Sequence, residues 1–347
     1  MLPKNANLPI NLRIQYLVSI MKICIHIEPQ GGYSYDDIVV LAKAAEDAGF
    51  HRFSVSDHFL GYPKGTEIPC YEAWTTIALL TPQTERIILG TQVTSQSYRN
   101  PALLAKIVAN LDNASNGRVD LGIGAGHKAA EYEAYGYPFP SSKTRILQLR
   151  EALQIIKLLW TEDQPSFDGK FYRIKDTMFL PKPIQKPRVP IWIGTLSLVA
   201  PMMEETAARY GDGVDFEGQT ATEYAQKMER VEAACDRVGR DFQEIRWSVS
   251  KTAVVIGEDE GDFEQRKQAV LKQEWMEKTM SGTMKEEWLD VAVARNIAGS
   301  PEAVIENLSE YKGKADLLNI CLPFIGNLRE NGLDTIRILK ERIVPKL

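Results

Sequence analysis

The sequence predicts a closed (β/α)8 TIM barrel with loop insertions, on three observations. Short apolar and β-branched runs alternate with segments of helical spacing, which places parallel strands beside covering helices. Eight such units can be counted along the chain, whereas an open doubly wound sheet more often stops at about five to seven strands. The strands end in polar, chemistry-bearing residues, as expected where βα loops converge on one catalytic face. A two-domain α/β arrangement, which the length of 347 residues also permits, is the alternative.

Taken in order, Ile23, Ile25 and Ile27 alternate with Cys24, His26 and Glu28 in strand periodicity, and residues 36–49 follow with helical spacing and a terminal glycine. Strand 52–56 leads to a helix near 71–81, strand 87–92 to 101–114, and strand 119–124 to 144–160. Residues 165–190 then hold five prolines and the run Phe167-Asp168-Gly169-Lys170-Phe171-Tyr172, which predicts a hairpin-like insertion. Strands resume at 191–194, 213–216, 246–256 and 317–323, with helices at 201–210, 222–238, 301–311 and 333–339. A polar helical insertion at 263–294 is a candidate lid. Residues 1–21 stand outside the repeat as an N-terminal extension, so 22–347 is expected to form one barrel domain. Arg13 and Gln15 interrupt the apolar stretch of that extension, making it a poor secretory or membrane segment.

Composition narrows the partners. A 44% hydrophobic, 25% charged chain buries a large core, and a net charge of -5 without a Lys/Arg stripe speaks against nucleic acid and anionic membranes. A small molecule is the expected partner. Cys24, Cys70, Cys235 and Cys321 are widely spaced and form no CxxC pair, so neither a zinc framework nor disulfides are indicated and a cytoplasmic location is expected.

Four histidines are present, and their places in the barrel order separate them. His51 precedes a strand and belongs to the stability face, while His58 and His127 follow strands and belong to the catalytic face. The ordinary reading of a lone histidine is a hydrogen-bonded structural residue. His58 departs from it, because Asp57 precedes it at a strand end where an imidazole can exchange protons near neutral pH; for His127 the two readings are even. His26 lies opposite the three isoleucines of the first strand and points toward the barrel mouth. Glu28 and Asp57 form a possible acid–base pair, although Glu28 precedes Pro29 and equally suits a loop cap. Gly122, Gly124 and Gly126 match a dinucleotide fingerprint only weakly, being spaced G-x-G-x-G in the fourth unit. Close backbone approach to a flat or anionic ligand and plain strand-to-loop geometry both remain open there. No His-rich or Asp-rich ligand cluster appears, so no metal is expected, and no G-x-S-x-G elbow supports a hydrolase.

The strand ends together resemble the luciferase-like monooxygenase superfamily, and within it the deazaflavin (coenzyme F420)-dependent oxidoreductases. The resemblance is carried by His26-Ile27-Glu28-Pro29-Gln30, Ser56-Asp57-His58-Phe59, Tyr98-Arg99-Asn100-Pro101-Ala102-Leu103-Leu104-Ala105-Lys106 and Asn116-Gly117-Arg118-Val119-Asp120-Leu121-Gly122-Ile123-Gly124-Ala125-Gly126. Phe167 to Tyr172, Pro181-Lys182-Pro183 and Pro190-Ile191-Trp192-Ile193-Gly194 extend it. It implies a bacterial luciferase-like barrel that passes hydride between F420 and a small organic substrate, and relatives that are commonly dimers. Asp57 and His58 match a ring-contacting acid and a proton donor, with His127 as a further catalytic candidate. Gln92-Val93 matches a non-prolyl cis peptide that forms a bulge behind the cofactor ring. Ala125 and Gly126 match backbone contacts to the cofactor chain, and Gly194 and Thr195 the start of its phosphate loop; His26, Glu28 and Tyr62 are the residues expected to wall the substrate pocket.

Two departures accompany the match. Gly194-Thr195-Leu196-Ser197-Leu198 stands where relatives often carry a run of glycines, and His127 where deazaflavin sugar-phosphate dehydrogenases carry a glutamate. The second departs from the pattern that goes with a sugar-phosphate substrate. The competing readings are an FMN-dependent monooxygenase that uses molecular oxygen on the same scaffold, and a non-catalytic flavin-binding relative, which the altered loop would suit.

Overall fold

The computed structural model describes residues 21–61, 67–195, 200–218, 220–272, 297–323 and 326–347. Tyr62, residues 1–20 of the extension and most of the 263–294 insertion lie outside the described residues.

Eight parallel strands close on themselves: β1 (Lys22–Ile27), β2 (Arg52–Val55), β3 (Ile88–Thr91), β4 (Val119–Gly124), β5 (Ile191–Thr195), β6 (Gly213–Glu217), β7 (Arg246–Ile256) and β8 (Leu317–Cys321). Each pairs with its sequence neighbour, and β8 pairs back onto β1 with Ile23 opposite Leu318. The barrel expectation holds, and with it the order of all eight strands. Outside the ring, Thr94–Ser95 extends the β4 side, Ile297–Gly299 pairs with the far end of β7, and the 165–190 insertion forms a small antiparallel hairpin of Phe167–Asp168 against Arg173–Ile174.

Covering helices are α1 (Tyr35–Asp47), α2 (Ala73–Leu80), α3 (Pro101–Ala114), α4 (Ser142–Thr161), α5 (Pro201–Tyr210), α6 (Ala221–Val238), α7 (Pro301–Ser309) and α8 (Leu328–Ile338). The segments Ala129–Ala134 and Glu260–Leu271 are also helical. Local chemistry sets the ends: Ser34 and Asp37 form a reciprocal capping box on α1, Thr220 and Glu223 do the same on α6, and Asn100 caps α3 ahead of Pro101. Gly239 ends α6 at φ +72°, a conformation that an L side chain adopts only with strain. None of the described helices is long and apolar enough to cross a membrane.

Strand alternation divides the core in two. Ile23, Ile25 and Ile27 face outward into the main apolar layer with Ile38, Leu41 and the other helix faces; burying each such side chain contributes about 1.5–3 kcal/mol. On the opposite face, Cys24 packs with Trp192 and Leu317 at the base of the barrel interior. Above them the interior is polar. Arg52 pairs with Asp120 at 3.1 Å and donates to the Thr91 carbonyl and to Gln92 Oε1, and Gln92 Nε2 donates to Ser250 Oγ. Ser248, Ser250 and Asn319 all donate to Asp215. A Cβ on Gly90 would lie 1.9 Å from Asp120 Oδ1, so the glycine is what lets that carboxylate into the interior. A polar interior of this kind gives the strand ends fixed anchor points just beneath the mouth.

Candidate active site

At the C-terminal ends of the strands a cavity of about 720 Å³ opens, the face on which barrel active sites are built. Glu28, Asp57, His58, Gln92, Val93, Ala125, Gly126, His127, Gly194 and Thr195 all line it. His26 lines a smaller adjoining cavity with Gln92, Glu217 and Cys321. Ten of the twelve residues singled out in the sequence therefore share one wall system, His26 sits next to it, and Tyr62 lies outside the described residues.

Asp57 is buried and heavily engaged. Arg99 donates to both its oxygens, at 2.6 and 2.9 Å, and Thr94 Oγ1 donates at 2.5 Å while itself accepting from Trp74 Nε1. The second partner of Arg99 is Glu72. Asp57 thus lines the cavity as a residue whose carboxylate is buried and fixed in orientation by Arg99 and Thr94.

His58 is fixed by a residue that the sequence reading passed over. Its Nδ1 lies 2.9 Å from Oε2 of Glu131, which also accepts from Tyr98 Oη at 2.7 Å; Oε1 accepts from the backbone N–H groups of Phe59 and Leu60. Burial alone would raise the Glu131 carboxyl, but the His58, Tyr98 and Leu60 donors outweigh it and hold it at about 2. The only clue in the sequence was its position four residues past His127 on the short helix Ala129–Ala134, which turns it back toward the β2 loop. His127 itself stands edge-on to His58, ring centroids 5.8 Å apart. Its pKa is lowered, the surrounding protein and the charges of His58 and Lys128 outweighing Glu131 and Glu28.

His26 Nδ1 lies 3.1 Å from Ser54 Oγ, and Nε2 lies 3.4 Å from Glu28 Oε1. Burial opposes ionisation of Glu28, yet its bond and charge interaction with His26 prevail and lower its pKa. Across β1 and β8 the fold adds Cys321, bringing a ring nitrogen, a carboxylate oxygen and a thiol within 4.8 Å, a trio that chain separation hides in the sequence. Burial keeps that thiol protonated, its Sγ donates to the Leu322 carbonyl, and the Lys251 side chain lines the same small cavity. Glu217, at the end of β6, was also missed; the protein around the mouth and the Glu28 and Asp215 carboxylates push its carboxyl up to about 7.

The floor of the cavity is the bulge after β3. The Gln92–Val93 peptide is cis and non-prolyl, as the resemblance implied. Val93 packs against glycines on two neighbouring strands: a Cβ on Gly124 would lie 3.0 Å from its Cγ2, and one on Gly194 2.8 Å from its Cγ1. Gly126, at φ +79°, is held by Arg145 through its carbonyl and has Tyr132 Oη where a Cβ would point, 2.0 Å away. Gly124 and Gly194 thus leave room for the Val93 side chain, and Gly126 leaves room for Tyr132.

With the geometry in place, comparison with known proteins identifies the lineage. Residues 19–315 match the family described as luciferase-like monooxygenase. The chain belongs to that family. Among curated proteins it is similar to the F420-dependent glucose-6-phosphate dehydrogenase of Amycolatopsis mediterranei, 36% identical over 179 residues, covering 51% of this chain and 52% of the relative. The enzyme of the same description from Kribbella flavida is 32% identical over 213 residues, covering 60% and 62%. The chain thus matches about half to three fifths of the length of these relatives. Solved structures share the fold of this luciferase-like barrel: the monooxygenase RslO1 from Streptomyces bottropensis has a TM-score of 0.76 at 23% identity, covering 94% of this chain and 99% of that one. An F420-dependent secondary alcohol dehydrogenase in complex with an F420-acetone adduct has a TM-score of 0.76 at 21% identity, covering 94% and 98%.

Proposed function

We propose that this protein is an F420-dependent oxidoreductase that moves a hydride between the deazaflavin and a small carbonyl, alcohol or activated alkene. The observation that carries the reading is the juxtaposition, in one cavity, of Val93 backed by Gly124 and Gly194 and an acid–base side chain, His58. The curated relatives named as F420-dependent dehydrogenases support the choice of cofactor over FMN.

The residues present fit the cofactor. Val93 on its glycine backing offers a surface for a planar ring, Ala125 and Gly126 offer backbone along its chain, and Gly194 and Thr195 share the cavity with Ser142 and Lys143 at the N-terminus of α4. Bound in the reduced form, the deazaflavin supplies hydride from a ring carbon that replaces the N5 of flavins. The chain's own residues supply the proton. A substrate oxygen near His58 exchanges a proton with the imidazole, while Asp57 and Glu28 line the same cavity and His26, beside Glu28, lines the adjoining one.

Titrating the purified protein with coenzyme F420 and, separately, with FMN tests the reading by fluorescence. Binding of F420 in preference to FMN, followed by its reduction or oxidation with small alcohols or carbonyls, is the expected result. Preference for FMN with oxygen consumption would overturn it in favour of a monooxygenase, and binding of neither would indicate a non-catalytic relative.

A further inference from the structure

The bonds at Glu131 account for every acceptor position it has. A carboxylate offers about four lone-pair sites, and four donors converge on this one: Phe59 N–H and Leu60 N–H on Oε1, Tyr98 O–H and His58 Nδ1 on Oε2. The carboxyl is held ionised and the Tyr98 hydroxyl is held protonated by burial and by Glu131 itself, so neither reverses its role. The remaining contact then has one assignment, with His58 Nδ1 carrying a hydrogen and donating it. Nε2 is left on the other side of a cavity-lining ring, with no hydrogen-bond partner among the described residues.

We propose that Glu131 is the positioning residue of the site, fixing His58 in the Nδ1–H tautomer so that Nε2 is the atom that exchanges a proton with a substrate oxygen. The tautomer follows from the contacts; its use in turnover rests on the hydride-transfer reading above. In the oxidative direction a substrate O–H bond breaks and its proton passes to Nε2, giving an imidazolium that the ionised Glu131 faces at 2.9 Å. In the reductive direction Nε2–H returns that proton to the oxygen of the reduced carbonyl. The hydride is the proposed cofactor's to give or take, so charge balances in both directions.

Glu131 also ties together three loops. It sits on the short helix after β4, grips the backbone after β2 through Phe59 and Leu60, and reaches Tyr98 after the bulge that follows β3. Aromatic contacts reinforce the arrangement, with the Phe59 and Tyr98 rings 4.5 Å apart. The ring of His58 is therefore fixed both in place and in protonation pattern, which a general acid–base requires before substrate arrives.

Glu131→Gln separates positioning from bulk. The amide oxygen stays with the two backbone N–H groups, which turns the amide N–H2 toward His58 Nδ1 and forces that nitrogen to accept. The ring must then move its hydrogen to Nε2. Long-range proton–nitrogen spectra of protein labelled with ¹⁵N-histidine, recorded across a pH series and read in the form with one ring hydrogen, show this directly, with His58 assigned by its disappearance in His58→Ala. The wild-type protein is expected to show Nδ1–H at His58, and Glu131→Gln to show Nε2–H with kcat lowered roughly 10²- to 10⁴-fold and KM changed far less. Glu131→Asp, keeping the charge, is expected to retain the Nδ1–H pattern and part of the rate.

Finding Nε2–H at His58 in the wild-type protein would overturn the proposal even if the Gln variant does not fold. So would an unchanged tautomer in a folded Glu131→Gln protein. Neither spectrum depends on the cofactor, so failure here is distinguishable from failure of the F420 reading.

Discussion

Arg99 holds Asp57 by a two-pronged ion pair, Nη1 to Oδ2 at 2.6 Å and Nη2 to Oδ1 at 2.9 Å, with the Asp57 side chain fully shielded from solvent and that of Arg99 only 10% exposed. The pair joins the end of β2 to the start of α3, and Thr94 and Trp74 complete it from the bulge and from α2. One carboxylate on the cavity wall is thereby held by three separate segments of the chain.

Arg99→Ala removes one partner and leaves a buried carboxylate uncompensated, a change that costs about 3–5 kcal/mol. Arg99→Lys keeps the charge but not the planar fork, and is expected to lose about 1–2 kcal/mol. Urea unfolding of both variants checks the order. Equal stability of Arg99→Ala and the parent protein would show that the pair does not hold the site together.

The barrel was legible because strand and helix periodicities differ and because the isoleucines of β1 face the helix layer without exception. Site residues that end strands were legible for the same reason, since the topology sends every strand end to one face. Arg99 and Glu131 were not, because their importance lies in contacts 42 and 73 residues away along the chain. Arg99 stood inside a motif without a role, and Glu131 read as an ordinary polar face of a short helix. Glu217 was hidden differently: a glutamate after a short strand is unremarkable until the neighbouring carboxylates are known to face it.

Gly194 is expected to be intolerant of a side chain for a steric reason. A Cβ there would meet Val93 Cγ1 at 2.8 Å and Cγ2 at 2.9 Å, and valine, branched at Cβ, has no alternative rotamer that clears both easily. Gly194→Ala therefore displaces the cavity floor and should weaken F420 binding at least about tenfold, a loss of roughly 1.4 kcal/mol. The double variant Gly194→Ala with Val93→Ala restores the space and should recover part of the affinity in a fluorescence titration. Undiminished binding by the single variant would mean that the floor is not where the ring rests.

The pair Arg52–Asp120 inside the barrel permits a sharper stability test. Arg52→Met leaves Asp120, already pushed toward its neutral form by burial, without its main counter-charge, and should destabilise by about 3–5 kcal/mol. Arg52→Met combined with Asp120→Leu exchanges the pair for apolar volume and should recover much of that loss. Thermal melts of the two variants decide it; if the double variant is no more stable than the single, the interior depends on the ion pair itself rather than on avoiding a lone charge.

His51 couples stability to pH from the opposite end of the barrel. Burial, aided by Lys22, Arg52 and Arg246, lowers its pKa from 6.5 to about 4. Between those values the unfolded chain binds a proton that the folded protein refuses, so stability falls as pH is lowered through this window and is unaffected by His51 above it. The full effect is on the order of 2 kcal/mol once partial solvent contact is allowed for. His51→Gln, which keeps a polar side chain but cannot titrate, should flatten that part of the curve. Urea unfolding at pH 7 and at pH 4.5 measures it: the parent protein is expected to lose more stability than the variant between the two, and an equal loss would place the acid sensitivity elsewhere in the chain.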